Sequence, residues 1–220
     1  MGAKNWMVFY AEQDVARVLR ERPTLDRDAT DRLVERLFPD HAMTKLEDVS
    51  LLEGDPRDGK VHAAVWPGAA VVCAEEVGVD RPSTLDRRFI EAGAGRTTYL
   101  HAMHSVVDWC AFAVWEPDGR LRRALSLSPD DGVLENVGDP LAFEEPFWAG
   151  DRPDVEPDED DGDPDSFPFH PLELGEEALG ALFGFVYEGP VSVDTVDPDE
   201  ITLAAYALKR PRRGLFGRRR

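Results

Sequence analysis

Cysteine is nearly absent from this chain: 220 residues hold only Cys73 and Cys110. Neither belongs to a CxxC pair, which leaves no sequence signature for a zinc ribbon, and both lie in apolar runs, so buried free thiols in a reducing compartment are expected. Positive charge is also scarce, with 25 Lys and Arg against 44 Asp and Glu and a net charge of −19. That balance excludes nonspecific attachment of the body to nucleic acid or to an anionic membrane surface. Long hydrophobic stretches are missing as well. The longest, Val61 to Ala74, is broken by His62 and by Pro67-Gly68, so no membrane-spanning segment is expected. The opening MGAKNWMVFYA carries one lysine and too short an apolar patch for a secretory signal, and Trp6 stands where a myristoylation motif wants Ser or Thr. The expected location is cytoplasmic. Catalytic templates are absent too: no GxSxG elbow and no HExxH occur, and Gly93-Ala94-Gly95-Arg96 follows a helix and precedes a strand, the reverse of what a phosphate loop needs.

What the chain does have is concentrated between Thr97 and Gly132. Trp109 to Trp115 is continuously apolar, as a strand covered on both faces would be. Glu116-Pro117-Asp118-Gly119 supplies the turn: Pro117 presets φ, Asp118 bonds its own backbone and Gly119 accepts positive φ. Leu121 to Ser128 then alternates, with Leu121, Leu125 and Leu127 on one side and Arg123 interrupting the apolar row. These two runs predict an antiparallel hairpin. Arg96 to Met103 predicts a strand before it, and Ser128 to Gly132 a second turn after it.

Elsewhere, Lys4 to Ala11, Met43 to Leu52, Lys60 to Val65, Ala69 to Glu75 and Ile201 to Leu208 predict strands. Asp14 caps a short helix, Val15 to Arg20, and Asp26 opens another carrying Ala29, Leu33, Val34, Leu37 and Phe38 at helical spacing. Ser83 and Asp86 suggest a capping box for a helix that buries Leu85, Phe89 and Ala92. Leu141 to Trp148 reads as a turn or loop that packs aromatics, and Glu176 to Val186 as an amphipathic helix. Nine of the 15 residues from Asp151 to Asp165 are acidic and three are proline, a composition expected to form a disordered loop at about 151–166. Residues 209–220 hold seven Lys or Arg and no acid, a basic tail expected to be disordered, which leaves the preceding 208 residues at −26. That body could mimic nucleic acid toward a basic partner.

Strands mixed with helices and joined by hairpins predict an α+β fold: a mainly antiparallel sheet with a central β-hairpin, packed against three or four helices. Residues 1–208 are expected to form a single domain, in preference to a split near residue 150, because the last 50 residues before the tail are small for an independent core.

Three segments, His101-Ala102-Met103-His104-Ser105-Val106-Val107-Asp108-Trp109, Leu127 to Gly132 and Phe169 to Leu179, resemble an uncharacterised actinobacterial protein family of unknown function, as does Gly2-Ala3-Lys4 followed by an apolar strand. The resemblance spans residues 2–208. It implies a bacterial cytosolic protein and transfers no catalytic role, cofactor or metal.

Residues that could do chemistry are His101, His104, Asp108, Asp130, Asp131 and His170. Neutral imidazoles and ionised carboxylates around an open position can hold a divalent metal, which would make a small metal-assisted hydrolase from His101, His104, Asp108 and His170. Against it, strand alternation sends His101 and His104 to opposite faces, while Asp130 and Asp131 serve equally well as turn acceptors. Ser105, Ser126 and Ser128 lack any elbow motif to make them nucleophiles. The reading favoured by the sequence is a non-enzymatic module that binds another protein or a small ligand near the hairpin, with Trp109, Asp130 and Asp131 as contacts and Trp115, Phe143, Phe147 and Trp148 adding aromatic surface. The tail, with Leu215-Phe216 between arginines, would touch acidic surfaces only weakly.

Overall fold

Among the described residues, ten strands in one antiparallel sheet carry the fold. A computed structural model describes residues 3–153, 167–189 and 191–210; the acidic loop at 154–166 and the tail beyond Arg210 lie outside the described residues. The strands are β1 (Lys4–Ala11), β2 (Ala42–Lys45), β3 (Val49–Ser50), β4 (Lys60–Trp66), β5 (Ala69–Ala74), β6 (Thr97–His104), β7 (Trp109–Trp115), β8 (Leu121–Ser128), β9 (Gly132–Val137) and β10 (Thr202–Lys209). Five α-helices accompany them: α1 (Val15–Arg20), α2 (Arg27–Leu37), α3 (Arg87–Ala92), α4 (Glu145–Trp148) and α5 (Pro171–Phe183). The order across the sheet is β2-β10-β4-β5-β1-β6-β7-β8-β9, with β3 also paired to β10. Among the described residues no helix is long and apolar enough to cross a membrane.

Both faces of the sheet are covered, which explains why its strands read as unbroken apolar runs instead of alternating ones. Successive side chains point to opposite faces. Met7, Phe9, Val71, Cys73, Phe112 and Leu125 pack under Val15 and Leu19 of α1, Phe147 of α4, and Leu174, Ala178, Leu179 and Phe183 of α5. Val8, Tyr10, Val72, Leu100, Ala111 and Ala113 pack under Leu33, Val34 and Leu37 of α2 and Phe89 and Ala92 of α3. All six residues of β5 and all seven of β7 are buried. Cys73 and Cys110 are buried free thiols, one on β5 and one on β7. Burial pushes the Cys110 thiol up to about 12, so it stays protonated and packs as a small apolar group.

The helices start and stop where local chemistry dictates. Asp14 accepts from Arg17 N–H and Asp26 from Ala29 N–H, capping α1 and α2. Helix α5 begins at Pro171, not at Glu176, because His170 accepts the Leu172 N–H as its cap and Pro171 fits the first turn. It ends at Gly184, whose φ of 78° is left-handed and whose added Cβ would lie 2.5 Å from Ala16 Cβ.

Other expectations are corrected. Asp86 caps α3 directly, and Ser83 instead donates from N and Oγ to the Glu135 carboxylate on β9, so no capping box forms. Residues 145–148 form a helical turn, raising the α-helix count to five. The stretch 43–52 splits into β2 and β3, and β10 extends through Lys209, the first residue assigned to the tail. The hairpin β7–β8 forms, but β1 occupies the middle of the nine-strand path and the hairpin lies toward the β9 edge. Its register shifts by one residue between Val114 and Trp115. That bulge sends Leu121 to the α2–α3 side, away from Leu125 and Leu127.

The regular register before the bulge sets Arg123, fully buried, opposite Val114. Its guanidinium grips the equally buried Glu144 through Nε at 2.9 Å and Nη2 at 2.6 Å, and donates from Nη1 to Asn136 Oδ1 and to the Val137 and Gly138 carbonyls. Glu144 in turn accepts from Leu141 N–H and Trp148 Nε1–H. One ion pair thus fastens the edge strand β9 and the segment 138–148 to β8. A buried pair adds little compared with apolar substitutes, but breaking one side strands a charge, at a cost of about 3–5 kcal/mol. Glu144→Ala is therefore expected to destabilise by that amount in denaturant unfolding, whereas the double change Arg123→Met with Glu144→Leu recovers most of the loss; equal destabilisation by the single and double variants would contradict the pairing.

Candidate functional site

The residues singled out from the sequence do not converge. His101 and His104 sit on β6 with opposite faces. His101 is fully buried beneath α5, where Nε2 donates to the Gly175 carbonyl at 2.9 Å and the Asn5 carboxamide lies 2.8 Å from Nδ1. A neutral ring that donates from Nε2 must accept at Nδ1, so the Asn5 NH2 group is assigned to that contact, which also gives the otherwise unpaired Asn5 amide nitrogen a partner. Both ring nitrogens are thereby occupied. Asp108 is a turn residue with φ of 45° between β6 and β7. Trp109 is buried and donates from Nε1 to Ser126 Oγ at 3.0 Å. Asp130 and Asp131 are exposed in the β8–β9 turn, where Ser128 Oγ accepts the Asp131 N–H. Among the described residues no group of three or more His, Cys, Asp and Glu side chains is gathered so as to hold a metal ion. Trp115 and Phe147 are buried like Trp109, and Phe143 and Trp148 pack partly buried against the core, so the expected aromatic surface is largely interior.

His170 faces a large cavity. Beyond the cap of α5, a cleft of about 750 Å³ lies between α5 and residues 184–195. Its apolar lining includes Met103, Phe147, Leu172, Phe185 and Val186, and its polar rim includes Arg20, Arg152, His170, Glu173, Glu176 and Glu177. Arg20 is held by the Asp194 carbonyl at 2.8 Å, and Arg152 pairs with Glu177 at 3.8 Å. Glu176 is the group whose chemistry stands out. Burial pushes its pKa up to about 7, against the two backbone N–H groups of Tyr187 and Glu188 that bond its oxygens at 2.9 and 3.1 Å and favour the ionised form. A carboxyl titrating near neutrality, on the wall of a partly apolar cleft, can either accept or donate a hydrogen bond to a bound molecule. Sequence reasoning missed Glu176, since its shift comes from the chain segment that folds back over α5; only its place beside Gly175 in the Phe169 to Leu179 segment hinted at it.

The floor of this cleft is set by a close approach. Gly175 comes so near the sheet that an added Cβ would lie 2.9 Å from Met103 Sδ and 3.1 Å from Cys110 Cβ. A second cleft, of about 430 Å³, opens beside the hairpin turn and is lined by Arg87, Arg96, Glu116 and Asp118 among others. It is the smaller of the two. Burial of His101 lowers its pKa to about 4, which sets a pH signature. The unfolded ring binds protons below about pH 6.5, so the stability supplied by the neutral ring is complete above that value and is lost as pH falls toward 4. His101→Gln is expected to remove about 2 kcal/mol of the difference between unfolding free energies at pH 7 and pH 5. An unchanged slope would show that the ring is not buried neutral.

No curated protein and no solved structure matches the chain. One family model does, described as a family of unknown function (DUF6928), and it covers residues 5–206, from the β1 residue that supports His101 into β10. The chain therefore belongs to that family.

Proposed function

We propose that this protein is a binding module for a small organic molecule, held in the cleft between α5 and residues 184–195. The observation that carries the reading is the cleft itself: about 750 Å³, within the range of small-molecule sites, with an apolar lining and Glu176 poised near neutrality on its wall. A protein partner on the hairpin is less well supported, because Trp109 and Trp115 are 7% and 2% exposed and offer no aromatic contact surface. The metal-assisted alternative loses its ligands to structural duties: His101 is saturated by Asn5 and Gly175, and His170 accepts the Leu172 N–H. Both cleft arginines are engaged within the protein, so the rim favours a ligand with an apolar body and a neutral or basic polar group that meets Glu176.

Gly180 offers a clean test. It lines the cleft from mid-helix, and an added Cβ would meet only Val186, at an ordinary 3.8 Å. Gly180→Leu is therefore expected to fill the cleft without harming the fold, and to raise helix stability by up to about 1 kcal/mol. The neutral solvatochromic dye N-phenylnaphthylamine should bind the native protein with enhanced, saturable fluorescence that Gly180→Leu abolishes. Dye binding that survives the substitution, or that never saturates, would contradict the placement.

A further inference from the structure

We propose that, in the unliganded protein, the α5 cleft is occupied by the C-terminal segment of this same chain, Pro211 to Arg220. This occupancy rests on the reading of that cleft as a binding site and adds a control over access to it. The rim carries the carboxylates of Glu173, Glu176, Glu177, Glu188 and Asp194 against the guanidinium groups of Arg20 and Arg152. Arg152 is engaged by Glu177 at 3.8 Å, and Arg20 by the Asp194 carbonyl instead of its carboxylate. That leaves Glu173, Glu188 and the Asp194 carboxylate without an ion-pair partner among the described residues. Leu172 and Val186 are only partly buried beside them, so the mouth joins an apolar strip to an excess of negative charge.

The segment complements that rim in charge and in pattern. Its ten residues include five arginines and no acid, and its only large apolar residues, Leu215 and Phe216, sit between Arg212-Arg213 and Arg218-Arg219-Arg220. The point where the chain leaves the sheet puts it within reach. Tyr206 of β10 stands opposite Val61, Val61 opposite Ala74, and the neighbouring Cys73 opposite Met7, so β10 finishes at the end of the sheet where β1 begins. Ala3, just before β1, lines the cleft. Three strand spacings separate β10 from β1, roughly 14 Å. Leu215 and Phe216 lie five and six residues beyond Arg210, a span of up to about 17–22 Å, and the last arginine reaches about 33–36 Å. Leu215 and Phe216 therefore reach the cleft mouth beside Ala3, and the arginines beyond them reach the carboxylates of the rim. Tethering also lowers the affinity the contact needs. A short flexible connection gives the segment an effective concentration on the order of 1 mM, so a free-peptide Kd of about 0.3 mM keeps it mostly bound.

The test compares the full-length protein with its Leu215→Ser, Phe216→Ser variant, by backbone amide NMR and by N-phenylnaphthylamine binding. The variant is expected to shift the amides of α5 and of residues 184–189, and to tighten the dye Kd about fourfold. A synthetic peptide of the parent sequence 211–220, added to the variant, should restore the parent amide positions saturably and bind more weakly as salt is added. Glu173→Gln with Glu188→Gln should weaken the peptide about fivefold, and Gly180→Leu should abolish its shifts. Unmoved α5 amides in the Leu215→Ser, Phe216→Ser protein would overturn the proposal, as would equal dye affinity in the two proteins. Shifts confined to residues 154–166 would place the segment on the acidic loop, and shifts that grow with protein concentration would place it on a second copy; either result overturns the assignment. If the dye binds neither protein, the small-molecule reading fails, while the amide and peptide measurements still decide where the segment docks.

Discussion

Burial of both faces of an antiparallel sheet is the constraint on which the rest of this structure depends. No solvent reaches most of the strand side chains, so any polar group placed there must find its partner within the protein or weaken the fold. Two such groups organise what surrounds them. His101, beneath α5, is matched by Asn5 and the Gly175 carbonyl, and thereby fixes where the helix sits on β6 and β7. Arg123, beneath α4, is matched by Glu144 and the carbonyls beside β9, and thereby holds the edge of the sheet. The apolar contacts supply most of the stability, whereas these polar contacts determine position.

The position of α5 shapes the larger cleft. Gly175 and Ala178 let the helix lie close to Met103 and Cys110, and the chain leaving Gly184 folds back so that the N–H groups of Tyr187 and Glu188 reach Glu176. The space between the helix and the returning chain is the larger cleft. Tyr187, at the end of that return, donates to the Leu51 carbonyl.

Much of the fold was legible in the sequence for physical reasons that stay local. Lys4–Ala11, Lys60–Val65, Ala69–Glu75 and Trp109–Trp115 read as strands because burial on two faces leaves few polar positions to confuse the pattern. Asp14 and Asp26 announced α1 and α2 because capping is a matter of three residues. What was not legible depends on distant partners. That β1 lies between β5 and β6 has no local signal, and neither does the pairing of Arg123 with Glu144. The candidate site followed the same rule. The histidines looked like ligands because their partners, Gly175 for His101 and Lys4 for His104, lie 74 and 100 residues away along the chain. Glu176 carried no signal of its own, because the chain that returns across it lies eleven and twelve residues further on.

The central claim is that the surface this fold builds around α5 is where the protein meets its ligand. The most direct measurement is a map of backbone amide shifts on adding a library of small uncharged and weakly basic fragments. The account predicts that the perturbed amides concentrate on α5 and on residues 184–189, with the hairpin turn at Glu116–Gly119 silent. Perturbations gathered beside that turn while α5 stays unchanged, or a library with no binders at all, would contradict it.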